Sequence, residues 1–248
     1  MKKHFLLLAS VMAGFTVFTA SAQQQGPGGP PPGPSWDGAL AKLFGDNGGF
    51  TATMEFHFNR ASGQEMTMPG KMAHLEGKAR FEMDLTKMQG GRIPPQALER
   101  MKQMGMDKMF SITRRDQNLV YIVYPDMKAY TEMPIPEKNV PVSDYKSDIT
   151  KLGGDTVGSY DCTKNKVVVT GPDGVTHEFT VWTATDLKGF PVKIQFKTKE
   201  GNDMTMQFSD VKLEKPDAAL FEPPTDCTKY DNMMSLMMSR ARGGAPPQ

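Results

Sequence analysis

The chain has 248 residues, 29 of them basic and 28 acidic, with a formal net charge of +1. A balance this close to zero leaves no electrostatic footprint for nucleic acid or for an anionic membrane surface. Beyond the N-terminus no run approaches the ~18 apolar residues of a spanning helix, so an integral membrane protein is not expected. The length suits one large domain with its own core.

The first residues read as an export signal. Met1-Lys2-Lys3-His4 is basic, Phe5 to Ala20 is mostly apolar, and Ala20-Ser21-Ala22 supplies a small-x-small cleavage pattern. Residues 1–22 are therefore expected to be a signal peptide, and the mature chain to reside in the periplasm of a Gram-negative-type bacterium. Residues 23–34, QQQGPGGPPPGP, can bury nothing and read as a flexible tether. A single domain over 35–242 and a disordered tail over 243–248 complete the expected organisation.

Within the domain, Ser35 or Asp37 can cap a short helix over 39–44, which Gly45 ends. From Phe50 to Asn59 apolar Phe50, Ala52, Met54, Phe56 and Phe58 alternate with polar neighbours, which is the signature of a half-buried strand. Ala79, Phe81, Met83 and Leu85 repeat it over 78–85. Pro94-Pro95 open a helix with a stripe of Leu98 and Met101, extended toward Met104–Met109. Hairpins follow around Asp116-Gln117-Asn118 and Pro125-Asp126-Met127-Lys128, then around 171–174 and 200–203. A last helix is expected over 229–240 with Met233, Met234, Met237 and Met238 at helical spacing, stopped by Gly243-Gly244. Roughly nine to eleven antiparallel strands joined by short turns predict a mainly β (α+β) fold, a large curved sheet or unclosed barrel covered by a few helices.

Chemistry is thinly represented. His57, His74 and His177 are scattered, and no zinc-protease helix, nucleophile elbow or phosphate loop occurs, so neither an enzyme nor a cofactor is expected. The two cysteines, Cys162 and Cys227, are expected to pair in an oxidising compartment. Such a bridge closes a loop of about 65 residues, worth roughly 4 kcal/mol in the chain-entropy picture. Methionine is the compositional outlier, with 20 residues. Its flexible thioether fills irregular cores, forms pliable surfaces for acyl chains, or ligates soft metals such as Cu(I), and all three readings stay open.

Three segments carry a family resemblance. Leu119 to Tyr130 resembles the strand, P-x-x-K, strand hairpin of LolA-like proteins. Lys215 to Pro224 resembles the P-D-x-x-x-F-x-x-P segment after their last sheet strands, and Gly189 to Ile194 resembles the entry to the strand before it. The body is similar to a domain-of-unknown-function branch of the LolA/LolB-like periplasmic lipoprotein-carrier superfamily. The resemblance implies an unclosed antiparallel barrel whose apolar concave face holds acyl chains under helical lids. The carriers' functional arginine has no matching position here.

The expected function is that of an exported carrier or sensor of an apolar ligand, a lipid or acyl chain, with a membrane-associated protein as a further partner. A sheet covered by few helices leaves apolar area for a ligand. The expected wall is Phe50, Met54, Phe56, Phe58, Phe81 and Met83, with Leu98 and Met101 in the lid. The alternatives are a Cu(I) site at Met101, Met104, Met106 and Met109, or an interaction module without ligand.

Overall fold

Alternating apolar residues become strand wherever the alternation is long enough to bury one side of it. The computed structural model describes residues 38–45, 48–60, 63–90, 93–135, 141–198 and 201–241, and within them thirteen strands form, most by this alternation. The expected signal peptide, tether and C-terminal tail lie outside the described residues. The strands are β1 (Gly49–Asn59), β2 (Glu65–Leu75), β3 (Lys78–Asp84), β4 (Gln89–Gly90), β5 (Lys108–Arg114), β6 (Leu119–Tyr124) and β7 (Ala129–Pro134). They continue as β8 (Lys146–Val157), β9 (Tyr160–Thr170), β10 (Thr176–Ala184), β11 (Phe190–Lys197), β12 (Asp203–Lys212) and β13 (Thr228–Tyr230). Three helices accompany them: α1 (Gly38–Lys42), α2 (Pro95–Gln103) and α3 (Met233–Ala241).

One unclosed sheet results, in the order β13-β7-β6-β5-β3-β2-β1-β12-β11-β10-β9-β8, with β4 beside β2. Two antiparallel meanders meet where β1 pairs with β12, and only β13 runs parallel to its neighbour, β7. Register shifts at Thr51/Thr53, Trp182/Thr183 and Lys151/Gly153 are β-bulges, which bend and twist the strands that carry them. The hairpin connections β5–β6, β6–β7 and β10–β11 share one device. A 3₁₀ turn ends on a left-handed residue, respectively Asn118, Lys128 and Lys188. In the P-x-x-K segment Pro125 thus starts the turn and Lys128 closes it at φ 48°.

The inner face carries the main core, to which all three helices contribute: Leu40 and Phe44 around α1, Leu98 and Met101 from α2, and Leu236 with Met233 and Met237 from α3. A second cluster lies on the outer face, formed by Ala73, Leu75, Phe110, Ile112, Tyr121 and Val123 and plugged by Phe221. The P-D-x-x-x-F-x-x-P segment makes that plug. Asp217 caps a 3₁₀ turn by accepting from the Ala219 amide at 2.9 Å, and Phe221 is fully buried. Two arginines of the sheet hold its carbonyls, Arg80 donating to Leu220 at 3.1 Å and Arg114 to Phe221 at 3.3 Å.

Arg114 is 5% exposed and is neutralised by Asp116, at 2.7 Å, and by Glu222. Hydrogen bonds from Arg114 hold the Asp116 carboxyl below its usual range. A depressed carboxylate stabilises the fold above its unfolded pKa of about 4 and loses that contribution as pH falls through the lower folded value. Asp116→Asn should therefore be less stable than the parent at neutral pH, and the difference should shrink as acid protonates the Asp116 carboxyl, as thermal unfolding followed down a pH series would read.

Several expectations are corrected. The helix after Pro94-Pro95 ends at Gln103, because Gly105 takes φ 72° and β5 begins at Lys108, so Met106 and Met109 are not helical. The C-terminal helix starts at Met233, where Asn232 caps the Ser235 amide at 2.9 Å. The preceding Thr228–Tyr230 is instead strand β13. Cys162 and Cys227 are free thiols rather than a disulfide. Cys162 belongs to the inner core on β9, whereas Cys227 packs against the outer cluster beside β13, at the other end of the strand order. Burial raises the pKa of both thiols.

Candidate ligand-binding site

Cross-strand rows on the inner face run from closed to open along β1. Near its start, Phe50 stacks on Phe44 with ring centroids 5.2 Å apart and meets Phe190 edge-on at 4.8 Å. Phe208 completes this cluster, 5.8 Å from Phe190. Further along, Met68, Phe56, Met206 and Ile194 form a row across β2, β1, β12 and β11, each at most 1% exposed. The last row, Met66, Phe58, Met204 and Phe196 on the same four strands, is half-buried. Beyond it the strands end in polar residues: Asn59, Glu65, Arg60 stacked 5.8 Å over Phe58, and the Lys197–Asp203 ion pair at 2.6 Å.

At this end β4 pairs with β2, Gly90 with Met66 and Gln89 with Thr67. Leu98 and Met101 of α2 are half-buried against the inner core, and Pro94 and Pro95 set the entry of that helix. The sheet margin thus presents a half-buried greasy row.

The expected wall residues divide along this gradient. Phe50, Met54 and Phe56 are at most 1% exposed and pack in the closed part, and Phe81 and Met83 are nearly as deep. Phe58 lies half-buried toward the open part, and Leu98 and Met101 are half-buried against the core. Met66, Met204 and Phe196 join the margin beyond the expected wall, and the alternations Met66-Met68 and Met204-Met206-Phe208 are the sequence signal that indicates them. Of the four methionines of the alternative site, Met101 is half-buried, Met104 exposed, and Met106 and Met109 buried. The Met106 amide donates to the Met101 carbonyl at 2.8 Å, which closes these two onto one turn. Among the described residues no cluster of three or more His, Cys, Asp or Glu side chains could hold a metal ion. Burial pushes the Tyr124 hydroxyl, on the inner face of β6, up to about 12, so it stays neutral at physiological pH.

An unclosed antiparallel sheet with its apolar face inward and three helices on that face is the architecture implied by the resemblance to the lipoprotein carriers. The model of the domain of unknown function DUF4412 matches residues 62–188, just over half of the chain, and the chain belongs to that family. No curated protein matches the sequence. Solved structures that it is similar to include a LolA superfamily protein from Nitrosomonas europaea, 11% identical over 75% of this chain and 94% of that one, with a TM-score of 0.37. The lipoprotein LppX of Mycobacterium tuberculosis is 11% identical over 73% and 93%, also at 0.37. A DUF1329 family protein from Desulfovibrio piger is 12% identical over 75% and 94%, at 0.35. No helix among the described residues is long and apolar enough to cross a membrane.

Proposed function

We propose that the protein is an exported carrier or sensor that holds an apolar ligand, a lipid or acyl chain, at the open end of its inner face. The observation that carries this reading is the half-buried row Met66–Phe58–Met204–Phe196, continuous with a dry core behind it, while Leu98 and Met101 of α2 pack half-buried against that same core. A row of four large apolar side chains at a sheet margin gains free energy when an acyl chain covers it, at about 25 cal/mol per Å². Methionine suits such a margin, because its thioether adapts to chains of different shape. Nothing on the row offers a nucleophile or an acid–base pair, which favours binding over chemistry. The basic start and apolar run at the N-terminus support export to the periplasm. Titration with a fluorescent fatty acid tests the reading: saturable binding that unlabelled fatty acid displaces supports it, and an unsaturable response overturns it.

The turn that joins Met101 to Met106 supports a second reading, a Cu(I) site using Met101, Met104, Met106 and Met109. Changing all four to leucine keeps volume and hydrophobicity while removing sulfur. Probe binding is expected to persist within a few-fold in this variant. A collapse of tight Cu(I) affinity in a competition titration would instead establish the metal site.

A further inference from the structure

The outer face of the sheet, opposite the proposed apolar site, bears a cleft of about 350 Å³ across β12, β1, β2 and β3. Thr51, Thr53 and Ala73 line it with short side chains, and Leu220 of the Phe221 plug segment contributes to its lining. Around it stand Lys71, Lys212, Arg80, Glu82 and Asp210. Arg80 is fully engaged: it pairs with Glu82 at 2.8 Å, donates to the Leu220 carbonyl and lies 3.5 Å over the Phe110 ring. Lys71 and Lys212 take part in none of the ion pairs formed among the described residues. They flank β1 from opposite sides, Lys71 in register with Thr53 and Lys212 with Thr51.

Asp210 is the anomaly of this face. Where β12 bulges against β1, two residues, Asp210 and Val211, face Ala52, and Asp210 takes φ 51°. This left-handed position in a bulge is one that glycine ordinarily fills. The aspartate there aims its carboxylate into the cleft, where it accepts from the Thr53 hydroxyl at 3.1 Å. A residue held in a sparsely populated conformation beside a cleft is a pointer to function. The cleft therefore combines two unpaired cations, suited to an acidic group, with a carboxylate and two threonine hydroxyls, suited to neighbouring hydroxyls.

We propose that this outer cleft is a second binding site, for a phosphate carried on a small polyol such as glycerol phosphate. Lys71 and Lys212 take the phosphate, and Asp210 with the threonines reads the hydroxyls. That chemistry is shared by free glycerol phosphate and by the headgroup of phosphatidylglycerol.

Calorimetric titration of the full chain with glycerol 3-phosphate and with inorganic phosphate tests the site. Saturable glycerol 3-phosphate binding is expected, weakened about tenfold by Lys71→Gln or Lys212→Gln and unchanged by Lys166→Gln, whose side chain pairs with Glu178 elsewhere. Asp210→Asn should leave the phosphate bound while the preference for glycerol 3-phosphate over inorganic phosphate falls toward one. Flotation with phosphatidylglycerol and phosphatidylcholine vesicles separates the sources. Capture by the former alone, relieved by free glycerol 3-phosphate, assigns the headgroup, whereas binding of soluble ligand without capture assigns the free molecule. Absence of saturation up to about 10 mM overturns the proposal, and so does equal weakening by Lys166→Gln, which marks a general charge effect. Each variant's fatty-acid titration is a control, because the apolar site lies on the other face and should not respond.

Discussion

Phe50→Ala is expected to destabilise the fold by about 3–5 kcal/mol, the cost of deleting a large side chain from a core that cannot collapse around the void. The side chain is fully buried, and Phe44 from the α1 turn and Phe190 from β11 pack on its ring with Phe208 of β12 behind both of them, so two separate elements lose packing at once. Urea unfolding would show the midpoint falling with an unchanged slope. The variant also separates two roles. A residue lining a ligand cavity faces space on one side, and its truncation costs far less. A loss below about 1 kcal/mol would place Phe50 against a cavity rather than in the dry core.

Phe58→Asp is expected to act in the opposite sense, sparing stability and weakening binding. Phe58 is half-buried at the open end, where water already reaches its ring and a carboxylate remains solvated in the free protein. When an acyl chain covers the row, that carboxylate must be desolvated and the phenyl contact is gone. Losing one large apolar contact of about 1.5–3 kcal/mol corresponds to roughly 10- to 100-fold weaker fatty-acid binding. Met204→Asp, its neighbour on β12, should behave alike. Unchanged affinity in both variants would move the ligand away from this row.

The parts of the structure that were legible in the sequence are those that bury one side of a strand. β1 and β3 stand out because Phe50 to Phe58 and Ala79 to Leu85 alternate without interruption. β2 is hidden in the sequence, although Met66, Met68, Met72 and His74 share one face, because Pro69 and Gly70 break the pattern. Gly70 is needed there, since a Cβ at this position would lie 2.5 Å from the Glu82 carbonyl of β3. β8 was invisible for the opposite reason. As an edge strand it buries almost nothing before Val157, so KSDITKLGGDTV has no side that must be apolar. Met101 and Met104 share a helical face, but Met106 does not, and Gly105 at φ 72° with β5 starting at Lys108 ends the helix before it. The disulfide expectation failed because two cysteines in one chain say nothing about which face of a sheet each occupies.

For the candidate site, the alternation of β1 identified the apolar face but could not say where along it the core ends. That boundary depends on which strands lie beside Phe58, and the pairing of β1 with both β2 and β12 is a long-range fact. The cleft on the outer face was equally hidden, because Lys71, Lys212 and Asp210 are brought together only by the same two pairings and by the bulge at Asp210.

Native mass spectrometry of the gently purified full chain tests the central claim most directly. A population heavier than the bare chain by the mass of a fatty acid or phospholipid is expected, shed on mild activation and depleted in Phe58→Asp. A parent protein that flies only at its bare mass, and that stays bare after incubation with fatty acid, would contradict it.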